Sequence, residues 1–142
     1  MLRLLESLEL PPGIAEAAVD WIDPDGSTAG VNGAEDIYYL GLDFPYHAAN
    51  RPFADARELR LVRGVDREAW LKLEPFVSAL PAATRLNVNT ASGEVLNAIL
   101  AAWNLPPEAL QNAQAWIADP DREPARDIEA FAAEVLGTRE TP

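Results

Sequence analysis

The sequence contains no cysteine and only one histidine, His47. Without thiols the chain forms no disulfide, carries no thiol nucleophile and builds no zinc site from cysteines. His47 follows Phe44-Pro-Tyr in a loop, which indicates a structural or solvent-facing residue and not a general base. No serine lies in a Gly-x-Ser-x-Gly pattern, so a serine nucleophile is also disfavoured. We therefore expect a protein that is not an enzyme.

Basic residues are scarce as well: 11 Lys and Arg stand against 23 Asp and Glu, a formal net charge of −12. Duplex DNA, RNA and anionic membranes are bound through positive charge, so they are not expected as main partners. No apolar run reaches the roughly 18 residues of a membrane span, and no signal-peptide pattern opens the chain. With 142 residues, 49% of them hydrophobic, the sequence predicts one globular domain over residues 1–142.

An acidic, glycine-rich loop over residues 20–36 is the most informative stretch. Its carboxylates stand at both ends, and three glycines between them let the backbone turn back on itself. Five carboxylates brought together repel one another unless a cation lies among them, and oxygen ligands on a flexible loop favour Ca²⁺ over Mg²⁺. The predicted metal ligands are Asp20, Asp23, Asp25, Glu35 and Asp36.

The loop does not follow the EF-hand spacing. Gly26 comes too early for that pattern, and Ala34 stands where the bidentate Glu belongs. A calcium site here needs a different construction, with backbone carbonyls completing about 6–8 ligands. A solvated acidic surface loop without an ion is the alternative, because such loops are common at protein surfaces.

The spacing of apolar residues predicts a mainly α fold, a compact multi-helix domain with helix-hairpin-helix-like units at about 55–80 and 87–118. In the first unit Asp55 is the expected N-cap of a helix, with Glu58 completing a capping box, and Asp66 caps the helix after Gly64.

The remaining helices of the sequence lie in its second half. Asn89 or Thr90 is the expected cap of a helix that runs to about residue 103. Asp127 is the expected cap of a last helix over residues 128–136, which Gly137 ends. The tail over residues 138–142 is expected to be loose.

Two other functions are compatible with parts of the pattern. The hairpin at Gly64 has four arginines around it, and such hairpins bind nucleic-acid phosphates in other proteins. These arginines are Arg57, Arg60, Arg63 and Arg67, and their alternative partners are Asp55, Glu58, Asp66 and Glu68. Two carboxylates of the acidic loop could also serve a small acid-base hydrolase.

Several blocks in one order resemble a known family. They are Asp20-Trp-Ile-Asp23-Pro-Asp25, Gly33-Ala-Glu35-Asp36-Ile-Tyr38-Tyr39, Ala49-Asn50-Arg51-Pro52, Glu58-Leu-Arg-Leu-Val and Leu86-Asn87-Val88-Asn89-Thr90-Ala91. Together they resemble general secretion pathway protein K, the large minor pseudopilin of the bacterial type II secretion system. The resemblance runs from about residue 14 to residue 103.

The resemblance implies a structural role in protein secretion. Members carry an N-terminal membrane helix and a pilin-like sheet with a large helical domain inserted in it, and this chain is expected to be that helical domain. The family implies a periplasmic location on an inner-membrane-anchored protein, at the tip of a pseudopilus, with minor pseudopilins of types I and J as partners. It also implies Ca²⁺ binding, carried over to Asp20, Asp23, Asp25, Glu35 and Asp36.

Overall fold

The computed structural model describes residues 1–126, 128–131, 133 and 137 of the chain. Contacts divide the chain into two compact units, Met1–Thr84 and Arg85–Pro142. Each unit has its own helices, and a single domain over residues 1–142 stays a prediction. The residues that the structure describes contain helices, turns and loops but no β-strand, so the predicted mainly α fold is confirmed.

The first unit consists of short helices separated by proline and glycine. Pro11 and Pro12 stand between its first two helices, and Pro12 is the N-cap of the second. Its α-helices are α1 (Leu2–Ser7), α2 (Gly13–Ile22), α3 (Asp36–Leu40) and α4 (Arg67–Leu73), with 3₁₀ turns at Ala56–Leu61 and Glu74–Phe76. The acidic loop joins α2 to α3.

The predicted capping residues of the hairpin are confirmed. Asp55 accepts a hydrogen bond from the Arg57 N–H, and Glu58 completes the capping box. Asp66 accepts one from the Ala69 N–H at 2.8 Å at the start of α4. The first segment is a 3₁₀ turn and not the expected α-helix, and the chain is already extended at Val62, directly after it.

Gly64 lies at the bend of this hairpin and needs to be glycine. Its φ of 86° is in the left-handed region, which favours glycine. A Cβ there would also lie 3.1 Å from the Ile14 Cγ1 of α2. The hairpin therefore packs its backbone directly on α2, the helix that begins the acidic loop.

The core of the first unit lies between α1, α2, α3 and α4. Leu5, Ile14, Tyr39 and Leu73 are its fully buried large side chains. Each such side chain contributes about 1.5–3 kcal/mol relative to full exposure. This core holds the C-terminal end of α2 and the N-terminal end of α3 side by side.

The second unit contains α5 (Gly93–Ala102), α6 (Pro107–Ala118) and α7 (Ile128–Ala130). Its core residues are Val88, Leu96, Leu100, Ala109, Ala113, Ala125 and Phe131. None of the helices in the described part of the chain has the length and apolar character that crossing a membrane requires.

The predicted cap of α5 is wrong. Ser92, and neither Asn89 nor Thr90, caps this helix by accepting a hydrogen bond from the Val95 N–H. The Asn89 amide instead pairs with the backbone of Ala125, donating to its oxygen at 2.8 Å and accepting from its N–H at 2.9 Å. Asn89 therefore makes a tertiary contact with Ala125 instead of capping the helix, which is the role that the local sequence pattern predicts.

The predicted last helix is only partly within the described residues. Residues 128–130 are helical, as expected. Its predicted cap Asp127, residues 132 and 134–136 of its end, and the tail over residues 138–142 lie outside the described residues.

Candidate metal centre

The end of α2 supplies the first two acidic side chains of the loop. Asp20 lies on the buried face of the helix and is 0% exposed, an unusual place for a carboxylate. Its Oδ1 accepts a hydrogen bond of 2.7 Å from the Ala29 N–H, which folds the loop back over the helix. Asp23 follows the last residue of α2 in an extended conformation, so its side chain leaves the helix axis close to Asp20.

The other end of the loop returns Glu35 to the same place. Glu35 is the extended residue before α3 and is 6% exposed. One carboxylate oxygen from each of Asp20, Asp23 and Glu35 lies within 4.8 Å of the other two. The loop therefore brings together three of the five predicted ligands.

These three carboxylates leave buried oxygen atoms without partners. Among the residues that the structure describes, Asp20 Oδ2, Asp23 Oδ1 and Glu35 Oε1 have no hydrogen-bond donor and are shut off from solvent. A buried carboxylate oxygen without a partner costs several kcal/mol, so native proteins pair such groups or bind a metal with them. The arrangement is thus a candidate cation site.

The electrostatics agree with the crowding of negative charge. Burial and, after it, repulsion from the nearby carboxylates, Asp20 first, together raise the pKa of Glu35 to about 6. Burial also raises the pKa of Asp23, with added repulsion from Asp25 and Asp20. Both shifts disfavour the ionised carboxylate, which is the form that a metal ion stabilises.

The two remaining predicted ligands have other partners. Asp25 is exposed, and its Oδ1 accepts a hydrogen bond of 2.7 Å from the Ser27 N–H in a local turn. Asp36 binds His47 Nδ1 at 2.9 Å with one oxygen and accepts the Ala48 N–H at 2.8 Å with the other. The His47 hydrogen bond, followed by that of Ala48, lowers the pKa of Asp36. The structure therefore places Asp25 and Asp36 outside the converging group.

His47 is 71% exposed at its side chain. Its contact with Asp36 fixes the segment after α3 to the first turn of that helix. This arrangement agrees with the expected structural or solvent-facing role of the histidine.

Glycine makes the tight loop possible at one position above all. Gly33 is buried against Asp20, and a Cβ there would overlap Asp20 Oδ2, one of the three unpartnered oxygens. The same Cβ would lie 3.0 Å from the Ala29 nitrogen. Gly33 is thus the residue that allows the loop to close over the carboxylate.

An aromatic cluster of Trp21, Tyr39 and Tyr46 stabilises the junction of α2 and α3. Trp21 meets the edge of Tyr39 with ring centroids 5.2 Å apart, and Tyr39 stacks on Tyr46 at 5.4 Å. Burial raises the pKa of Tyr39 to about 12, so this ring stays neutral. The Trp21 indole donates a hydrogen bond of 3.4 Å to Glu58 Oε2.

Two of the hairpin arginines are engaged within the first unit. Arg57 pairs with Asp55 at 2.8 Å, which is the predicted internal pairing. Arg63 donates to the Gly33 carbonyl at 3.1 Å and lies over the Tyr38 ring at 4.9 Å from its centroid. Arg63 is therefore a support of the acidic loop.

Two acidic residues of the hairpin have other partners than those predicted. Glu58 pairs with Arg51 at 3.3 Å, and Glu68 pairs with Lys72 at 3.4 Å. Within the described residues, Glu58 and Glu68 thus form their ion pairs with Arg51 and Lys72 and not with the hairpin arginines predicted for them.

The three oxygens lie close enough together for one cation to contact all of them. Ca²⁺ takes oxygen ligands at about 2.3–2.6 Å, so it spans oxygen pairs up to about 4.6–5.2 Å apart. The observed limit of 4.8 Å falls in this range. The three carboxylates would supply up to three negative charges, and loop carbonyls are near enough in sequence to add further oxygens.

Comparisons with known proteins agree with the resemblance found in the sequence. The family model described as type II secretion system (T2SS), protein K matches residues 1–82. Type II secretion system protein K of Pseudomonas aeruginosa is 47% identical over 102 residues, which are 68% of this chain and 30% of that protein. The protein of the same name from Pectobacterium carotovorum is 40% identical over 89 residues, which are 62% of this chain and 27% of that protein.

A solved structure matches more of the chain. It is the crystal structure of the GspK-GspI-GspJ complex from the enterotoxigenic Escherichia coli type 2 secretion system, with a TM-score of 0.73 and 34% identity. The match covers 93% of this chain and 46% of the other chain. The matches to the two relatives named above cover less than a third of the length of each relative. By the family model and these matches, this chain belongs to the type II secretion system protein K family.

Proposed function

We propose that this chain is a calcium-stabilised, non-catalytic helical domain of a minor pseudopilin. In this proposal the domain lies in the periplasm, on a protein anchored in the inner membrane, at the tip of the pseudopilus of a type II secretion system. Its partners there are the minor pseudopilins of types I and J.

The observation that carries the secretion role is the likeness to one chain of the GspK-GspI-GspJ complex over 93% of the present chain. At 34% identity and a TM-score of 0.73, both sequence and fold are shared, and not the fold alone. The family assignment from residues 1–82 supports the same role independently.

The observation that carries the calcium site is the meeting of three buried, unpartnered carboxylate oxygens from Asp20, Asp23 and Glu35 within the described residues. The same burial argues against a hydrolase that uses these carboxylates. A substrate such as a sugar or a peptide has to contact the catalytic oxygens, whereas these three oxygens are shut off from solvent.

A pair of melting curves tests the calcium site. We expect Ca²⁺ to raise the melting temperature over that in chelator, because an ion that binds only the folded state adds about 2.7 kcal/mol at 100 times its Kd. Asp23→Asn should lose most of this increase. In chelator the same variant should be as stable as the unsubstituted protein or more so, because it removes one of the repelling charges.

Asp43→Asn is the matched control, because Asp43 is an exposed acidic residue outside the converging group. This variant should keep the full response to Ca²⁺. Equal melting temperatures of the unsubstituted protein in calcium and in chelator would contradict the proposed metal site.

Size-exclusion chromatography tests the assembly. The chain is mixed with a purified complex of minor pseudopilins I and J, and co-elution is the expected result. Elution as two separate peaks, with the I and J complex intact, would contradict a contact through this domain.

A further inference from the structure

Glu16 lies on α2 one turn before Asp20, so both carboxylates project from the same face of the helix. Each of them holds the acidic loop by a backbone N–H. Glu16 Oε2 accepts a hydrogen bond of 2.8 Å from Asn32, and Asp20 Oδ1 accepts one of 2.7 Å from Ala29. Two carboxylates on one helix face therefore fix two points of the loop that are three residues apart.

The loop packs closely on this helix face because glycines, which have no side chain, stand at the points of contact. A Cβ on Gly30 would lie 2.7–2.9 Å from the three carboxylate atoms of Glu16. A Cβ on Gly13, the first residue of α2, would lie 2.6 Å from Asn32 Cβ. The loop thus crosses α2 with Gly30 over Glu16 and Asn32 over Gly13.

The Asn32 contact lies on the stretch of the loop that leads to Glu35. Asn32 precedes Glu35 by three residues, and the residue next to it, Gly33, packs on the Asp20 carboxylate. If the hydrogen bond to Glu16 is lost, Ala29 keeps its hydrogen bond to Asp20 and Arg63 still holds the Gly33 carbonyl, but Asn32 loses its hydrogen bond to α2.

We propose that Glu16 is a positioning residue of the calcium site, a role that deepens the proposed function and rests on it. Glu16 does not belong to the group of oxygens that converge within 4.8 Å. It acts through the Asn32 N–H, keeping the returning loop on α2 so that Glu35 reaches Asp20 and Asp23. Outer partners of this kind typically change metal affinity by about 10–100-fold when they are removed.

Calorimetric titration with CaCl₂ tests the role of the Glu16 acceptor. Glu16→Ala removes the acceptor, and we expect its Kd for Ca²⁺ to rise at least about tenfold. Glu16→Gln removes the charge but keeps an oxygen acceptor for the Asn32 N–H, so it should bind within about threefold of the unsubstituted protein. Glu68→Ala, on the exposed side of α4, removes one negative charge elsewhere and should leave the Kd unchanged.

A pair of glycine variants tests the same contact without changing Glu16. Gly30→Ala places a methyl group against the Glu16 carboxylate and should weaken Ca²⁺ binding as Glu16→Ala does. Gly26→Ala is the control in the same loop, because no described atom lies within 4 Å of the Cβ it would add. In the Glu16→Ala background, Gly30→Ala should add little, since both changes break one contact.

The outcomes separate this role from the metal site itself. If the unsubstituted protein shows no heat of Ca²⁺ binding, the proposed calcium site is wrong, and the role of Glu16 is wrong with it. If it binds Ca²⁺ and Glu16→Ala binds equally well, the site stands and only the role of Glu16 is overturned. Equal losses in Glu16→Gln and Glu16→Ala would also overturn it, because charge and not the hydrogen bond would then matter. If Glu16→Ala does not fold, the Gly30 and Gly26 variants decide the question.

Discussion

Replacing Gly33 by alanine is the sharpest single test of the loop geometry. The added methyl group would overlap Asp20 Oδ2 and would lie 3.0 Å from both the Ala29 nitrogen and the Thr28 Cβ. Rotating the Asp20 carboxylate away would break its hydrogen bond of 2.7 Å to the Ala29 N–H. Moving the backbone instead would shift the loop off α2, so neither response is free of cost.

The magnitude follows from these two responses. Overpacking of a buried site costs about 1–3 kcal/mol, and a lost hydrogen bond to a charged group costs about 1.5–3 kcal/mol. The structure can reduce the overpacking by giving up the hydrogen bond, so the two costs do not add in full. We therefore expect Gly33→Ala to lower the free energy of unfolding by roughly 2–4 kcal/mol. For a chain of this length that is a fall in melting temperature of roughly 6–12 °C.

Gly26→Ala provides the matched comparison in the same loop. No described atom lies within 4 Å of the Cβ that this change adds, and the φ of Gly26 is not in the left-handed region. The change should therefore be neutral or raise stability by up to about 1 kcal/mol, because alanine restricts the unfolded chain.

Thermal unfolding followed by circular dichroism, in Ca²⁺ and in chelator, measures both variants. Gly33→Ala should also lose most of the calcium response, because it displaces an oxygen of the proposed site. A melting temperature within 1 °C (about the precision of such melts) of the unsubstituted protein, or an equal fall in Gly26→Ala, would refute the inferred closure of the loop on Asp20.

Three further predictions concern pH, the hairpin and the second unit. In chelator, stability should fall as pH rises from about 4.5 through 6, because the pKa of Glu35 is raised to about 6 and the folded state holds its proton; urea unfolding at pH 5 and 7 measures this. Glu58→Ala should lower the free energy of unfolding in urea by about 2–3 kcal/mol, since it removes a capping box and an ion pair. Glu6→Ala, in an exposed ion pair, should lower it by less than about 0.5 kcal/mol. Phe131→Ala should destabilise the second unit by about 3–5 kcal/mol in thermal melts, and Leu86→Ala, 47% exposed, by far less.

Each of these has a result that contradicts it. The fall in stability with rising pH should vanish in Glu35→Gln and in saturating Ca²⁺. An unchanged dependence of stability on pH in either case would assign the effect to other groups. For Glu58, burial would raise the pKa, but hydrogen bonds from Ala54, Trp21 and Arg51 outweigh it and keep the pKa low. The stability that Glu58 contributes is thus present above its unfolded pKa and is lost as pH falls. If the stability of Glu58→Ala fell with decreasing pH as steeply as that of the unsubstituted protein, this reasoning would be contradicted. Equal losses in the Phe131 and Leu86 variants would contradict the core of the second unit.

Local features of the first unit were predictable from sequence. The caps at Asp55 and Asp66 were predicted correctly because a capping hydrogen bond joins residues only two or three apart. The mainly α fold followed from apolar spacing in the same way. At Asn89 this reasoning failed, because a partner 36 residues away, Ala125, takes the side chain that local pattern assigns to a cap.

The sequence by itself determined which residues are available for the candidate site: five carboxylates, oxygen ligands only, and glycines that let the loop turn. Only the tertiary structure decided that Asp20, Asp23 and Glu35 converge while Asp25 and Asp36 bind Ser27 and His47. The supports at Glu16 and Arg63 were likewise not visible in the pattern, since each acts on a loop residue at least 16 positions away. The physical reason is that convergence depends on the path of the returning loop over α2, and that path is set by burial of Asp20 and by close packing at Gly30 and Gly33.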